Sequence, residues 1–228
     1  MRATVQPAGP TRERPDDGAP RPPSAAAAEK TPPHARERDP ERVQQARAAS
    51  QQEVAPVAPQ CFTGIDASGV NLAMTRVYGR APRGERVIGA VPQHSGAKVT
   101  ILAALGRQGL EAVMPVDGAT DAEVCRVDVA QVLRPTLRPG DLVLMDNLRA
   151  HKAAGIREAI EHVGAPVRYV PPYSPDLSPI APCWSTLKTA LRTAKARTRE
   201  ALDQALAHAL ATLTASAARS WFHHCGYA

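Results

Sequence analysis

No aromatic residue stands before Phe62, and all eight aromatics of the chain lie at or beyond it. Eleven of the 22 prolines, by contrast, fall within residues 1–60. This unevenness bounds where a folded core can form. A segment with no aromatics and that much proline cannot bury enough apolar surface to offset its ordering entropy. Residues 1–60 therefore read as a disordered or linker segment. The 168 residues of 61–228 are enough for one compact domain. Within the first segment, DPERVQQARAASQQE (39–53) could form a short polar helix with Pro40 at its start, but it has almost no apolar face. It reads as a linker, or as a helix lying loosely on the surface.

Several broad classes are excluded. No apolar run approaches the ~20 residues of a membrane span. The first residues, MRATVQPAGPTRERPDDGAP, hold no apolar stretch like a secretory signal, and their arginines alternate with acids, unlike a transit peptide. Cys61, Cys125, Cys183 and Cys225 are too widely spaced for a CxxC zinc site. A cytoplasmic protein with reduced thiols is the expectation. Residues 61–228 carry 19 basic against 14 acidic residues, a balance that suits a nucleic-acid partner without requiring one.

From Phe62 the texture is that of short strands. CFTGID runs into VNLAMTRVY, where Val70, Leu72 and Met74 alternate with Asn71, Ala73 and Thr75. APRG (81–84) reads as a turn, ERVIGAV as a strand, HSG (94–96) as a turn, and KVTILAAL and LEAVMPV as two further strands joined at GRQG. The pattern then switches. Thr120 with Glu123 suggests a capping box opening a helix that ends near Pro135. DLVLMD (141–146) has the continuous apolar character of a buried parallel strand. HKAAGIREAIEHVG predicts a helix stopped by Gly164, PVRYV a strand, 183–196 a helix with Trp184, Leu187 and Leu191 on one face, and a last helix follows from about Glu200. Strands first, then alternating helix and strand, imply a mixed sheet flanked by helices.

Asp66 and Asp146 each end a predicted strand. If those strands are parallel neighbours, both carboxylates emerge together. Such a pair repels itself unless a divalent cation such as Mg²⁺ lies between them. The plainer reading is that each Asp simply terminates a strand. The surrounding motifs favour the first. DNLRAHK (146–152) and VPPYSPDLSPIAPCWSTLK (170–188) resemble the signatures of mariner-type DDE transposases of the bacterial insertion-sequence branch. DASGVN with MTRVYGRAPRG (66–84) resembles the first catalytic block of that family, and WFHHCGY (221–227) its C-terminal end. The blocks are collinear over roughly residues 61–228.

The resemblance implies an RNase H-like domain with a mixed five-stranded sheet. It also implies three acids holding two Mg²⁺ (or Mn²⁺) ions for DNA strand cleavage and transfer. Asp66 and Asp146 match the first two acids. The third position is Ala181, with 34 residues (147–180) between it and Asp146, so the spacing is kept and the carboxylate is absent. Asp176, Glu158 and Glu161 are the acids that could substitute, each at an unfavourable position.

The expectation is therefore a transposase catalytic fold with impaired activity. A non-catalytic DNA-binding or inhibitory remnant, or a functionless copy, is the alternative. The helix-turn-helix modules of full-length relatives find no counterpart in 1–60, which reads as truncation or rearrangement. Lys188, Arg192, Lys195, Arg197 and Arg199 could contact DNA, or form a solvated helix face. His151 could support Asp146 or touch phosphate. Tyr173 and Trp184 read as packing residues rather than base-stacking platforms, and His223, His224 and Cys225 as a chain end rather than a metal site. The partners expected are element ends and target DNA, with a homodimer or intact transposase as further partner, and neither a membrane nor a small-molecule substrate.

Overall fold

The computed structural model describes residues 36–38 and 40–227, so residues 1–35 of the segment read as disordered lie outside the described residues. Five strands form one mixed sheet in the order β3-β2-β1-β4-β5. β1 (Phe62–Asn71) pairs antiparallel with β2 (Lys98–Gly106), and β2 antiparallel with β3 (Gly109–Asp117). On the other side, β1 runs parallel to β4 (Leu142–Met145), and β4 parallel to β5 (Val167–Tyr169).

Both faces of the sheet are covered, which is why its central strands read as apolar runs rather than as alternation. Side chains still alternate between the faces. Val99, Ile101, Ala103 and Leu105 of β2 join Phe62, Val70, Leu142 and Leu144 in one core cluster. α4 (Ile180–Ala194), α5 (Arg199–Ala211) and α6 (Ala215–His224) pack into that cluster. Leu102 and Ala104 join Ile65, Val143 and Met145 in the second. That face is covered by α2 (Ala122–Asp128), the π turn Val129–Leu133 that continues it, and α3 (Ile156–Glu161).

Several sequence expectations are corrected. VNLAMTRVY is strand only as far as Asn71, and ERVIGAV is not a strand. Residues 72–97 form one long loop, with Val77, Tyr78, Val87, Ile88 and Val91 exposed. β2 takes the antiparallel place beside β1 directly, so residues 85–91 are left without that partner, and Pro82 and Pro92 bracket them. The α2 cap is Asp121, not Thr120: its carboxylate accepts from the backbone N–H groups of Glu123 and Val124. α3 begins at Ile156 rather than His151, because Gly155 holds the positive φ of 86° that breaks the preceding turn. The final helix is two, separated where Thr214 caps α6 on the N–H of Ala217.

The polar helix predicted near residue 40 exists as α1 (Glu41–Val54), and it is not loosely placed. Val43 and Val54 are buried, and Arg47, only 7% exposed, makes a bidentate pair with Asp176 at 2.6 and 3.1 Å. The composition of the segment hid this, since three anchors at positions 43, 47 and 54 suffice without a continuous apolar stripe.

Candidate active site

The parallel register of β1 and β4 sets the site. Ile65 lies opposite Met145, so Asp66 and Asp146 come next on neighbouring strands. β4 ends at Met145, but β1 runs on to Asn71, so Asp66 does not end its strand as the sequence suggested. It lies within β1, where its β4 neighbour stops. Ile65 and Met145 both belong to the α2–α3 cluster, so by strand alternation the two aspartates project to the opposite, α4-covered face. The start of α4 comes close there, because β1 carries Gly64 beneath it: a Cβ at Gly64 would lie 3.8 Å from the Ile180 backbone and from Pro179. Ala181, in the first turn of α4, consequently shares one open cleft of about 640 Å³ with Asp66, Asp146, Leu148 and the loop 170–178.

Each carboxylate is held by its own partners. Asp66 accepts from the Ala67 N–H at 2.7 Å and from the Trp184 indole N–H at 3.0 Å. Burial pushes its carboxyl above the ordinary range, and the negative charge of Asp146 adds to that against the pull of these hydrogen bonds. Asp146 accepts from the Leu148 N–H at 2.9 Å and meets His151 Nδ1 at 2.5 Å, both contacts falling on Oδ1. Burial works to raise Asp146, but His151 and the Leu148 N–H outweigh it and hold the carboxyl low. His151 is 1% exposed. Burial disfavours its charge, yet hydrogen bonds to Asp146 and Cys125 push its pKa up to about 10. At neutral pH the pair is an imidazolium against a carboxylate.

Two neighbouring carboxylates, one raised first by burial and then by the charge of the other, could together hold a single Mg²⁺-like ion, whose remaining shell would be left to water and phosphate oxygens. They do not fit two ions. The third corner presents the Ala181 methyl, and among the described residues no group of three or more His, Cys, Asp or Glu could hold a metal together. The substitutes considered from sequence are engaged elsewhere. Asp176 is paired with Arg47, Glu158 accepts from the Gly155 N–H, and Glu161 pairs with Arg157 at 2.8 Å.

Of the basic candidates, Lys188 and Arg192 line a shallow hollow with Gly69, Asn71 and Thr75 beside the end of β1. Lys195 caps α4 nearby and lines a second hollow with Arg76 and Tyr78. Arg197 is committed to the carbonyls of Leu72 and Met74 and to Thr75, and Arg199 to Asp117 and Asp203. Burial removes His151 from a direct phosphate contact in this conformation and leaves it the support of Asp146. His223 and His224 are exposed in the last turn of α6, whereas Cys225 is buried. Sequence reasoning missed Trp184 as a partner of Asp66 and Cys125 as a partner of His151. Neither carries a signal in spacing, since each contact joins elements distant along the chain. Tyr173, read as a packing residue, is instead 51% exposed at the mouth of the cleft.

Two carboxylates on neighbouring parallel strands, one inside β1 and one just past the end of β4, with the start of a helix completing the cleft, define an RNase H-like arrangement. Residues 62–203 match the DDE superfamily endonuclease family, and the chain belongs to it. None of the curated proteins compared with the chain matches it. The fold is similar to that in the Mos1 transposase paired-end complex with left transposon end (TM-score 0.65, 17% identity, 88% of this chain and 63% of that one). It is likewise similar to the mariner Mos1 paired end complex with Mg (TM-score 0.62, 18% identity, 88% and 63%). The catalytic domain of Mos1 mariner transposase gives a TM-score of 0.58 at 16% identity, over 86% of this chain and 92% of that domain. The chain thus spans about two thirds of the longer Mos1 chains and nearly all of the isolated catalytic domain.

Proposed function

We propose that this is the catalytic domain of a DDE transposase of the bacterial insertion-sequence branch, working on DNA in the cytoplasm and impaired in strand cleavage. One observation carries the reading: Ala181 faces the same cleft as Asp66 and Asp146, where the family arrangement needs a third carboxylate. The family relationship and the Mos1 complexes with transposon-end DNA and with Mg support DNA as substrate and a divalent ion as cofactor. Asp66 and Asp146 would hold that ion, which when bound would polarise a phosphodiester and activate the attacking oxygen. Trp184 and the Ala67 N–H fix the Asp66 carboxylate, and His151 fixes Asp146 and balances its charge. The methyl of Ala181 supplies no ligand for a second ion, so the leaving oxygen lacks the charge stabilisation the two-ion arrangement provides.

The test is nicking of supercoiled DNA and of insertion-sequence ends by the purified chain and its Ala181→Glu variant in Mg²⁺ or Mn²⁺. The variant should cut faster by at least about 100-fold. Equal rates would overturn the impairment, and a variant that cuts neither substrate would overturn the endonuclease reading. The hollow lined by Lys188 and Arg192 favours a second reading, a non-catalytic DNA binder that occupies element ends or pairs with intact transposase. Salt-sensitive DNA binding that falls when both residues are replaced by Ala, with no cutting by either protein, would favour it.

A further inference from the structure

The loop that forms the outer wall of the cleft contains an unusual residue. Tyr173 has φ 55°, a left-handed conformation that non-glycine residues, and aromatics above all, adopt at a cost. Among the described residues only Lys195 shares it without being glycine, and Lys195 closes a helix, where that conformation is routine. Nothing at Tyr173 explains it in that way. It follows the β5 strand on an irregular segment, between Pro172 and the short turn Pro175–Leu177.

The strain persists because the segment is over-determined around it. Asn147 Nδ2 donates to the Val170 carbonyl at 2.5 Å, and the buried Ser174 donates through Oγ to the Pro172 carbonyl at 3.0 Å. Arg47 holds Asp176, and the Tyr227 hydroxyl donates to the Leu177 carbonyl at 2.7 Å. Pro171, Pro172 and Pro175 remove most of the remaining backbone freedom. The ring these contacts present is half exposed and borders the cleft that holds Asp66 and Asp146. Leu148, two residues after Asp146, is the other large apolar side chain left exposed on that cleft, at 49%. A rigid aromatic face and an apolar side chain, bordering a cleft with carboxylates suited to a cation and a phosphate, match one kind of ligand: a flat heteroaromatic ring attached to a phosphodiester.

We propose that Tyr173, with Leu148, forms a stacking site for an unpaired nucleobase of the DNA strand whose phosphate lies at Asp66 and Asp146. The inference rests on the DNA reading above and goes further, to an unstacked base at a named position. A base in the stack of a duplex offers no free face to a single exposed ring, whereas an unpaired base offers one.

The test uses the full chain in Ca²⁺ in place of Mg²⁺, so that a cation can bridge the carboxylates and the phosphate while cutting is suppressed. Fluorescence anisotropy would compare a perfect duplex with the same duplex carrying one unpaired 2-aminopurine, whose own emission reports stacking. The parent chain should prefer the unpaired-base duplex by about tenfold and quench the probe. Tyr173→Phe should keep the preference and the quench, and Tyr173→Ala should bring the preference ratio to about one. A Tyr173→Ala protein that keeps the preference, or a parent chain that binds duplex DNA without any, would overturn the stacking site and leave the DNA reading intact. A parent chain that binds neither duplex would overturn both. Tyr173→Gly should melt higher than Tyr173→Ala, because glycine adopts φ 55° freely. A Gly variant no more stable than the Ala variant would overturn the strained presentation of the ring.

Discussion

The two walls of the cleft face the same space and are held there in different ways. On the strand wall, Asp66 and Asp146 are fixed group by group, through Trp184 and the Ala67 N–H on one, and through His151 and the Leu148 N–H on the other. On the helix wall, Ala181 is held by its neighbours: Ile180, Cys183, Trp184 and Leu187 are buried, and Ile180 and Pro179 lie against Gly64. The packing that positions α4 is therefore separable from the group that α4 presents. A carboxylate can be missing from this wall at no cost to the core. A missing partner on the strand wall would leave a half-buried charge without its counter-ion.

The largest expected effect tests this separation. Ala181→Glu should bind Mn²⁺ at least about ten times more tightly than the parent chain, by calorimetry, while its metal-free denaturation midpoint stays close to that of the parent. Equal affinities would mean that the helix wall does not share the ion of the strand wall. On the strand wall, His151→Ala should cost about 2 kcal/mol in urea unfolding, less than a fully buried pair because Asp146 is partly open to water. The sign with pH follows from the raised pKa of His151. Its contribution is complete below its ordinary 6.5 and is lost as pH rises through about 10. The parent chain should lose stability along that alkaline limb, and His151→Ala should lose less of it, the buried thiols of Cys183 and Cys225 supplying the remainder above about pH 9.

A third effect lies one layer behind the strand wall. Asp128 of α2 is 4% exposed, and burial pushes its carboxyl from 3.8 up to about 6 despite the nearby positive charge of His151. Between those values the folded chain binds more protons than the unfolded one, so stability falls as pH rises from about 4 to about 6. At about 1.4 kcal/mol per pH unit the fall is bounded near 3 kcal/mol, and residual solvent screening brings it to about 2. Asp128→Asn should flatten that limb. A variant with the slope of the parent would show that the charge of Asp128 is not what burial opposes.

The strand wall was far more legible in the sequence than the helix wall. DLVLMD announces a buried parallel strand ending in a carboxylate, whereas the strand opened by CFTGID runs on past Asp66 to Asn71. Pattern brings the two aspartates to notice, and the motifs around them single them out. The empty third position was legible only through the resemblance, because an alanine in a helix carries no signal of its own. What pattern could not reach were contacts between distant segments: Trp184 to Asp66, 118 residues apart, and Arg47 to Asp176, 129 apart. The strand predicted over ERVIGAV failed for a related reason. Its residues have strand character, but a strand exists only where a neighbour offers a ladder, and β2 had taken that place.

The smallest effect asks whether the helix wall has any equivalent of His151. It does, at one remove: Arg47 reaches from α1 to Asp176, in the turn that follows the cleft-lining residues of the loop. The guanidinium end is buried but the Asp176 side chain is 40% exposed, so water screens this pair and limits its worth. Arg47→Ala should therefore cost only about 1 kcal/mol, with Val43 and Val54 still anchoring α1. Asp176→Asn should cost about the same, and the double variant hardly more than either single, since all three remove one interaction. Hydrogen exchange should quicken together in residues 41–54 and 174–178. If the two single costs add, or if only α1 loosens, then Arg47 serves the helix alone, and the outer wall of the cleft is held by its prolines and by Tyr227.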